Sequence, residues 1–268
     1  MHVLFIHQIF LSPKEAGSTR HFELAKYLVK KGNKITIIGS KVSYLSGEVE
    51  EKYKGKFLFK EVIEEIEIVR VWAYSKIHKS YVRRFLSYIS FMLSSIYAGL
   101  KTSKVDIIIA CSPQIFTGIS GIILSKIKRI PFIFEVRDLW PKFAIEAGII
   151  TNPSIIYLAE SLEKFIYKRA DYFIINSPGF IEHLQKFNIK KEKIFLIPNG
   201  VDTSIFIPTN RQNRVREELG LKKDFIIMYS GAHGLANSLD TIIHAASHLI
   251  NYPDLKFLLV GDGKEKKI

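Results

Sequence analysis

The chain has 268 residues, 47% of them apolar, a single cysteine and a formal charge of +13. That length and apolar content suit two modest domains. The lone Cys111 excludes an internal disulfide and fits a reducing compartment. No uncharged apolar run reaches the ~18 residues of a spanning helix, the nearest being Phe85–Leu100, and Met1–Ile6 resembles a buried strand rather than a signal peptide.

Strand-like apolar runs are expected at His2–His7, Lys34–Ile38, Ile66–Trp72, Val105–Ala110, Phe132–Val136, Tyr172–Ile175 and Ile194–Ile197. Helical patterns fall between them at Ser18–Lys31, Ser80–Leu100, Gly118–Lys128, Pro153–Lys168 and Gly179–Phe187. Such alternation predicts a parallel sheet wrapped by helices, with ligands at the carboxyl ends of the strands. Turn residues Pro198, Asn199, Gly200 and Pro208 then break the rhythm, and a domain boundary is expected near residue 205. A second βα series begins with Phe225–Tyr229 and continues with Lys256–Val260. Residues 206–268 hold about two βα units, so this second α/β domain is expected to be incomplete, with an exposed apolar face. The same residues carry nine Lys and Arg against seven Asp and Glu, which leaves +11 of the charge on residues 1–205. That basicity points to an anionic partner or to a solvated surface.

Four places could carry chemistry. After the first strand, Gly17 permits close backbone approach, Ser18 is a candidate N-cap, and Arg20 sits at a helix start where the dipole prefers an anion. An ordinary βα turn with a surface arginine is the alternative. Glu135 lies in a buried strand, and Arg137 and Asp138 stand at its carboxyl end, either as a structural pair or as catalytic groups. Farther on, the strand–Gly231–Gly234–helix junction leaves backbone N–H groups for a phosphate, with His233 as a donor or a cap. Gly261, Asp262 and Gly263 form a second glycine loop. His244 and His248, spaced i,i+4, lack a third ligand for a metal. In Ser80–Leu100, a stripe of Val82, Phe85, Leu86, Ile89, Met92, Leu93, Ile96, Tyr97 and Leu100 is expected to pack on the sheet. A second face with Tyr81, Arg83, Arg84, Tyr88 and Phe91 suits an anionic membrane interface, or a helix buried on both sides.

Taken in order, Gly17–Ala25, Val136-Arg-Asp-Leu-Trp-Pro141, Asn176-Ser-Pro178, Ile197–Asp202, Gly231–Asn237 and Leu259–Gly263 resemble the family-4-like retaining glycosyltransferases of the GT-B fold. The likeness is to bacterial enzymes of O-antigen, capsule and exopolysaccharide assembly. It implies two Rossmann-like domains with parallel sheets, the first for the acceptor and the second for a UDP- or GDP-linked sugar. It implies no cofactor and no metal, a polyprenyl-diphosphate-linked or oligosaccharide acceptor, and a cytoplasmic enzyme peripheral at the inner face of the plasma membrane. By this resemblance Arg137 and Asp138 are catalytic, Gly17, Ser18 and Arg20 face the acceptor and diphosphate, and Asn199, Gly231, His233, Gly234, Asn237, Gly261, Asp262 and Gly263 hold the donor. Many relatives have His where this chain has Arg137, and cations where it has Ala232 and Asn237; their donor-gripping Glu-x7-Glu lies beyond residue 268. An inactive fragment and a basic nucleic-acid binder are the rival readings. No nucleic acid is expected, because no RNA-binding motif appears, and a dehydrogenase would need a Gly-x-Gly-x-x-Gly after the first strand.

Overall fold

The structure, a computed structural model, describes the chain except at residues 14–18, 44, 45, 78, 222, 235, 236 and 268, and except for the side chains of residues 264 and 267. Gly17 and Ser18 therefore lie outside the described residues. The chain divides into two compact units, Met1–Gly200 and Val201–Ile268.

The first unit runs β1 (His2–Ile6), α1 (Arg20–Lys30), β2 (Lys34–Ser40), β3 (Leu58–Ile63), β4 (Ile66–Val71), α2 (Tyr81–Lys101), β5 (Ile107–Cys111) and α3 (Phe116–Lys128). It continues with β6 (Phe132–Val136), α4 (Lys142–Glu146), α5 (Pro153–Tyr167), β7 (Tyr172–Ile175), α6 (Phe180–Gln185) and β8 (Ile194–Leu196). The eight strands form one sheet in the order β3-β4-β2-β1-β5-β6-β7-β8. Their near-continuous apolar sequences are what a sheet covered on both faces requires. Along β1 the side chains alternate between the layers. Val3 and Phe5 join Phe22 and Ala25 of α1, whereas Leu4 and Ile6 join the core under α2 and α3.

A fully parallel sheet was expected here, and β3 corrects that: it pairs antiparallel with β4. The hairpin turn is Glu64-Glu65, both at positive φ, 47° and 63°. Glutamates are unusual where Asn-Gly normally serves, so the turn carried no sequence signal.

Helix α2 corrects a second expectation. Its start is as expected, with the Ser80 hydroxyl accepting from the Arg83 N–H at 3.2 Å. Its buried face, however, is Ser87, Phe91, Ser94, Ser95, Ala98 and Gly99. Small residues let α2 approach α3 closely: the Ser95 and Ser120 hydroxyls are 2.8 Å apart, and a Cβ on Gly99 would lie 2.3 Å from Leu124 Cδ1. Of the stripe expected in the core, Ile96 packs against it and Ile89 and Met92 are half-buried, whereas Val82, Phe85, Leu86, Leu93, Tyr97 and Leu100 face outward, Val82 at 68% and Leu93 at 59% exposure. Of the face expected at a membrane, Phe91 is buried, Tyr81 is exposed, and Arg83, Arg84 and Tyr88 are half-buried.

The second unit holds α7 (Arg214–Glu218), β9 (Phe225–Ser230), α8 (Leu239–His248) and β10 (Leu255–Val260). β9 and β10 pair in parallel as a two-stranded sheet. Phe225, Met228 and Ile243 are exposed, and among the described residues only His233 and Leu239 are buried. The exposed apolar surface expected from the sequence is therefore present.

Candidate active site

In the first unit the chain builds β2 on one side of β1 and β5 through β8 on the other. The order reverses between β1 and β5, and crevices at such switch points take ligands at the carboxyl ends of the strands. Here β1 ends into His7, β5 into Ser112, β6 into Arg137 and β7 into Asn176.

Glu135 of β6 is the hub of this edge. It is 1% exposed, and its Oε1 accepts from Arg20 Nε at 3.0 Å. Its Oε2 meets His21 Nε2, and the His21 ring lies 4.1 Å from that of His7, centroid to centroid. Burial alone would raise the carboxyl pKa. The His21 hydrogen bond and charge, the Cys111 thiol and the Arg20 guanidinium outweigh it and hold Glu135 at about 2. His7 goes the other way from a usual cationic site. Burial, then the charges of His21, Arg137 and Arg70, push its imidazole well below its ordinary value, so it is neutral.

An anionic ligand is expected at Arg20, and within the unit its guanidinium meets one carboxylate, Glu135, and several neutral acceptors. Nε serves Glu135, Nη1 donates to Pro198 O at 2.8 Å and to Asn199 Oδ1 at 3.4 Å, and Nη2 donates to Ile197 O at 2.7 Å. Arg20 thus clamps the start of α1 to the segment leading out of the unit, and Asn199 is one of its partners. Asp138 stands at the carboxyl end of β6 as expected and is exposed, and the carboxylate buried at this edge is Glu135. The backbone N–H groups of Arg137 and Asp138 both point to the Ser112 hydroxyl, at 2.8 and 3.4 Å, which fixes the turn after β6 against β5.

Several buried polar atoms at this edge have no hydrogen-bond partner among the described residues: His7 Nδ1, His21 Nδ1, Gln114 Oε1 and Asn176 Oδ1. Such atoms are costly and rare, and their gathering at one edge marks a place suited to a polar ligand. The donor atoms of His21, Cys111 and Glu135 also lie within 4.8 Å of one another. Because burial and Glu135 push the Cys111 thiol well above its ordinary pKa and the carboxylate is already shared, this trio favours a hydrogen-bonded network over a thiolate metal site. His7, His21 and the central role of Glu135 escaped the sequence reading. The available signals were charged or polar residues ending apolar runs, Phe132–Val136 above all.

In the second unit the two glycine loops stack on each other beyond β9 and β10. A Cβ on Gly261 would fall 1.8 Å from Gly231 O, and one on Gly263 would fall 2.1 Å from His233 O. The glycines at 261 and 263, with φ of +154° and +159°, are therefore required by loop-on-loop approach. His233 donates its N–H to Asp262 O at 2.9 Å, is 5% exposed, and keeps an unpartnered buried Nε2. Asp262 Oδ1 accepts from Gly263 N, and Asn237 N donates to Gly234 O. Gly234 has open space where its Cβ would be, apart from Asn237 Oδ1 at 3.8 Å. Helix α8 starts at Leu239 without a side-chain cap. A cation the sequence reading missed also sits here, with Lys266 Nζ donating to Gly261 O at 2.8 Å.

Comparison with known proteins agrees with this geometry. The chain is 23% identical over 272 residues to WcaI of Escherichia coli K12, a glycosyl transferase assigned to colanic acid biosynthesis, covering 98% of this chain and 66% of that protein. It is 29% identical over 178 residues to an Escherichia coli UDP-Gal:α-D-GlcNAc-diphosphoundecaprenol α-1,3-galactosyltransferase, covering 64% of this chain and 44% of that one. The chain thus spans less than two thirds of these relatives' lengths. Among solved structures, HepE of Anabaena in complex with UDP and glucose matches with a TM-score of 0.64 at 14% identity, over 100% of this chain and 62% of that one. A sucrose-phosphate synthase of Thermosynechococcus elongatus matches at 0.69 and 18%, over 97% and 62%. These structures share the α/β GT-B fold expected from the resemblance. The model of Glycosyltransferase Family 4 matches residues 17–205, across Arg20 and the Glu135 hub, and the chain belongs to that family.

Proposed function

We propose that this chain acts in transferring a sugar from a nucleotide diphosphate donor to a lipid-linked acceptor in cell-surface polysaccharide synthesis, with retention and without a metal. The observation that carries the reading is the set of unpartnered buried polar atoms at the carboxyl edge of the sheet, on the unit where the family model matches. The galactosyltransferase relative, whose named acceptor is a diphosphoundecaprenol-linked sugar, and the UDP and glucose complex of a structural neighbour supply the substrate classes.

In this reading the first unit receives the acceptor, and the glycine loops of the second receive the donor diphosphate. The bond from the anomeric carbon to the diphosphate oxygen breaks, and a bond from that carbon to the acceptor oxygen forms on the same face. The acceptor proton passes to the departing diphosphate oxygen. Arg137 is the catalytic cation for the charge growing on that leaving group, and Asp138 positions the acceptor. Backbone N–H groups before α8, the imidazole of His233 and the Lys266 ammonium neutralise the donor phosphates, taking the place of the cations many relatives carry at Ala232 and Asn237. The protein works as a peripheral one, at the inner face of the plasma membrane. No helix among the described residues is long and apolar enough to cross a membrane.

The test is transfer from radiolabelled UDP- or GDP-hexose to a polyprenyl-diphosphate-linked sugar in the presence of EDTA, alongside UDP titration by calorimetry. Arg137→Ala is expected to lower kcat roughly a hundredfold while changing donor KM little. Absence of both nucleotide binding and transfer would overturn the reading.

A further inference from the structure

We infer that Lys41, at the carboxyl end of β2, is the cation of a binding site for a phosphoryl group. Side chains alternate along a strand, so residues two apart share a face. Phe5, Ile37, Ile68 and Ile109 lie in register on the α1 face of the sheet, in one apolar cluster with Phe22 of α1. Two residues farther along each strand, that face carries His7, Gly39, Arg70 and Cys111, and Glu135 pairs in register with Cys111. The apolar layer thus ends in a polar row at the edge where the candidate site lies. Lys41 is the next residue of this face beyond Gly39.

The row holds more cations than carboxylates. Arg20 takes Glu135. Arg70, 2% exposed, meets Glu61 through Nε at 3.3 Å, and its Nη1 donates to Phe10 O at 2.7 Å and Ser40 O at 3.3 Å. Gly39 makes room for that arginine, since a Cβ there would stand 3.5 Å from Arg70 Nη1 and 3.1 Å from Phe10 Cβ. Lys41 is also 2% exposed, yet it makes no ion pair among the described residues. Its Nζ donates to one acceptor, Tyr53 O, at 3.5 Å, which is the long limit of a hydrogen bond. An ammonium has three donors, and a buried charge without a counter-charge is costly. Burial, then the charge of Lys56, accordingly lowers the Lys41 pKa from its ordinary value. An anion that displaces the weak Tyr53 bond corrects the imbalance. Two donors remain on Lys41 and the neighbouring cations are arginines, which suits a multiply charged phosphoryl group better than a single carboxylate.

The inference deepens the proposed function, because a lipid-linked diphosphate acceptor would bring such a group to this edge; a free phosphate has the same chemistry. The test reads Lys41 directly and needs no turnover, so the two can fail separately. The full chain is isotope-labelled at the lysine ε-carbons, and the Lys41 signal in the NMR spectrum is the one that Lys41→Met removes. Pyrophosphate, and farnesyl diphosphate as a soluble lipid-linked diphosphate, should shift that signal, whereas farnesol should not. Tighter binding of farnesyl diphosphate would assign the site to the lipid-linked acceptor, and equal binding would assign it to a free phosphate. By calorimetry, Lys41→Met should bind farnesyl diphosphate at least about tenfold more weakly, through loss of a charge-assisted hydrogen bond. Its Tm without ligand should equal or exceed that of the unsubstituted chain, because methionine fills the space and removes an unpaired buried charge. Three results would overturn the inference. These are a Lys41 signal that neither anion moves, undiminished binding in Lys41→Met, and a Tm lowered by several degrees, which would make the ammonium a structural partner where it stands.

Discussion

Glu135 shows how one carboxylate can organise the edge of a sheet. It anchors Arg20 and His21, and through Arg20 it reaches Ile197, Pro198 and Asn199. Glu135→Gln would leave two buried cation-capable groups facing a neutral amide, so about 3 kcal/mol of stability should be lost, measured by urea denaturation at neutral pH. The pH dependence has a definite sign. Glu135 titrates at about 2 when folded, below its ordinary 4.5, so its contribution is present above pH 4.5 and is lost as pH falls toward 2. His7 is also depressed, from an ordinary 6.5, so the stability tied to its neutral form is present above pH 6.5 and is lost below it. Stability should therefore decline in two stages on acidification. His7→Gln should flatten the upper stage and Glu135→Gln the lower, read from urea midpoints across pH. An unaltered profile in His7→Gln would show that this imidazole is not held neutral by its surroundings. Arg137 and Asp138 stood out in the sequence because charge ended an apolar run. The same signal at Glu135 was weaker, since nothing local shows that residues 114 and 115 positions away will close on it.

At the scale of elements, α2 reverses the usual relation between side-chain size and burial. Its serines, alanine and glycine pack beside Phe91, while Val82, Phe85, Leu86, Leu93, Tyr97 and Leu100 are exposed. Gly121 of α3 makes the same kind of close approach, where a Cβ would stand 2.3 Å from the Phe132 ring. Gly121→Ala should cost about 1–3 kcal/mol through overpacking. Leu93→Ser, although it removes a much larger apolar group, should shift stability by about 0.5 kcal/mol or less. Thermal melts of the two variants check the contrast, and a larger loss for Leu93→Ser would mean that the outward face is covered. The elements themselves were largely legible: continuous apolar runs gave β1, β2, β4 to β10 and the major helices within a few residues. The hairpin strand β3 was not, because Leu58–Ile63 mixes lysine and glutamate with its apolar residues and turns on two glutamates. The facing of α2 was not either. Periodicity ranks residues by hydrophobicity, and a surface of serine, alanine and glycine made for a neighbouring helix looks polar in sequence.

At the scale of the molecule, the two units differ in how far they can stand by themselves. Unit 1 has an eight-stranded sheet with a buried apolar cluster on each face. Its carboxyl segment is tied back by Arg20 to residues 197–199, all within Met1–Gly200. Unit 2 has a two-stranded sheet, and its largest apolar side chains, among them Phe225, Met228 and Ile243, are exposed. Two strands with little buried surface do not overcome the entropy of ordering a chain. A fragment of residues 1–200 should therefore melt cooperatively, within a few degrees of the whole chain, and keep its slowly exchanging amides in β1, β5 and β6. A fragment of residues 201–268 should show no cooperative transition and should exchange its amides nearly as fast as an unfolded peptide. In the whole chain, hydrogen exchange should separate the units in the same order, with β9 and β10 exchanging before the central strands of the first sheet. Slow exchange in β9 and β10 of the isolated fragment would show that loop-on-loop packing at Gly231, His233, Gly261 and Gly263 supplies a core that side-chain burial does not reveal.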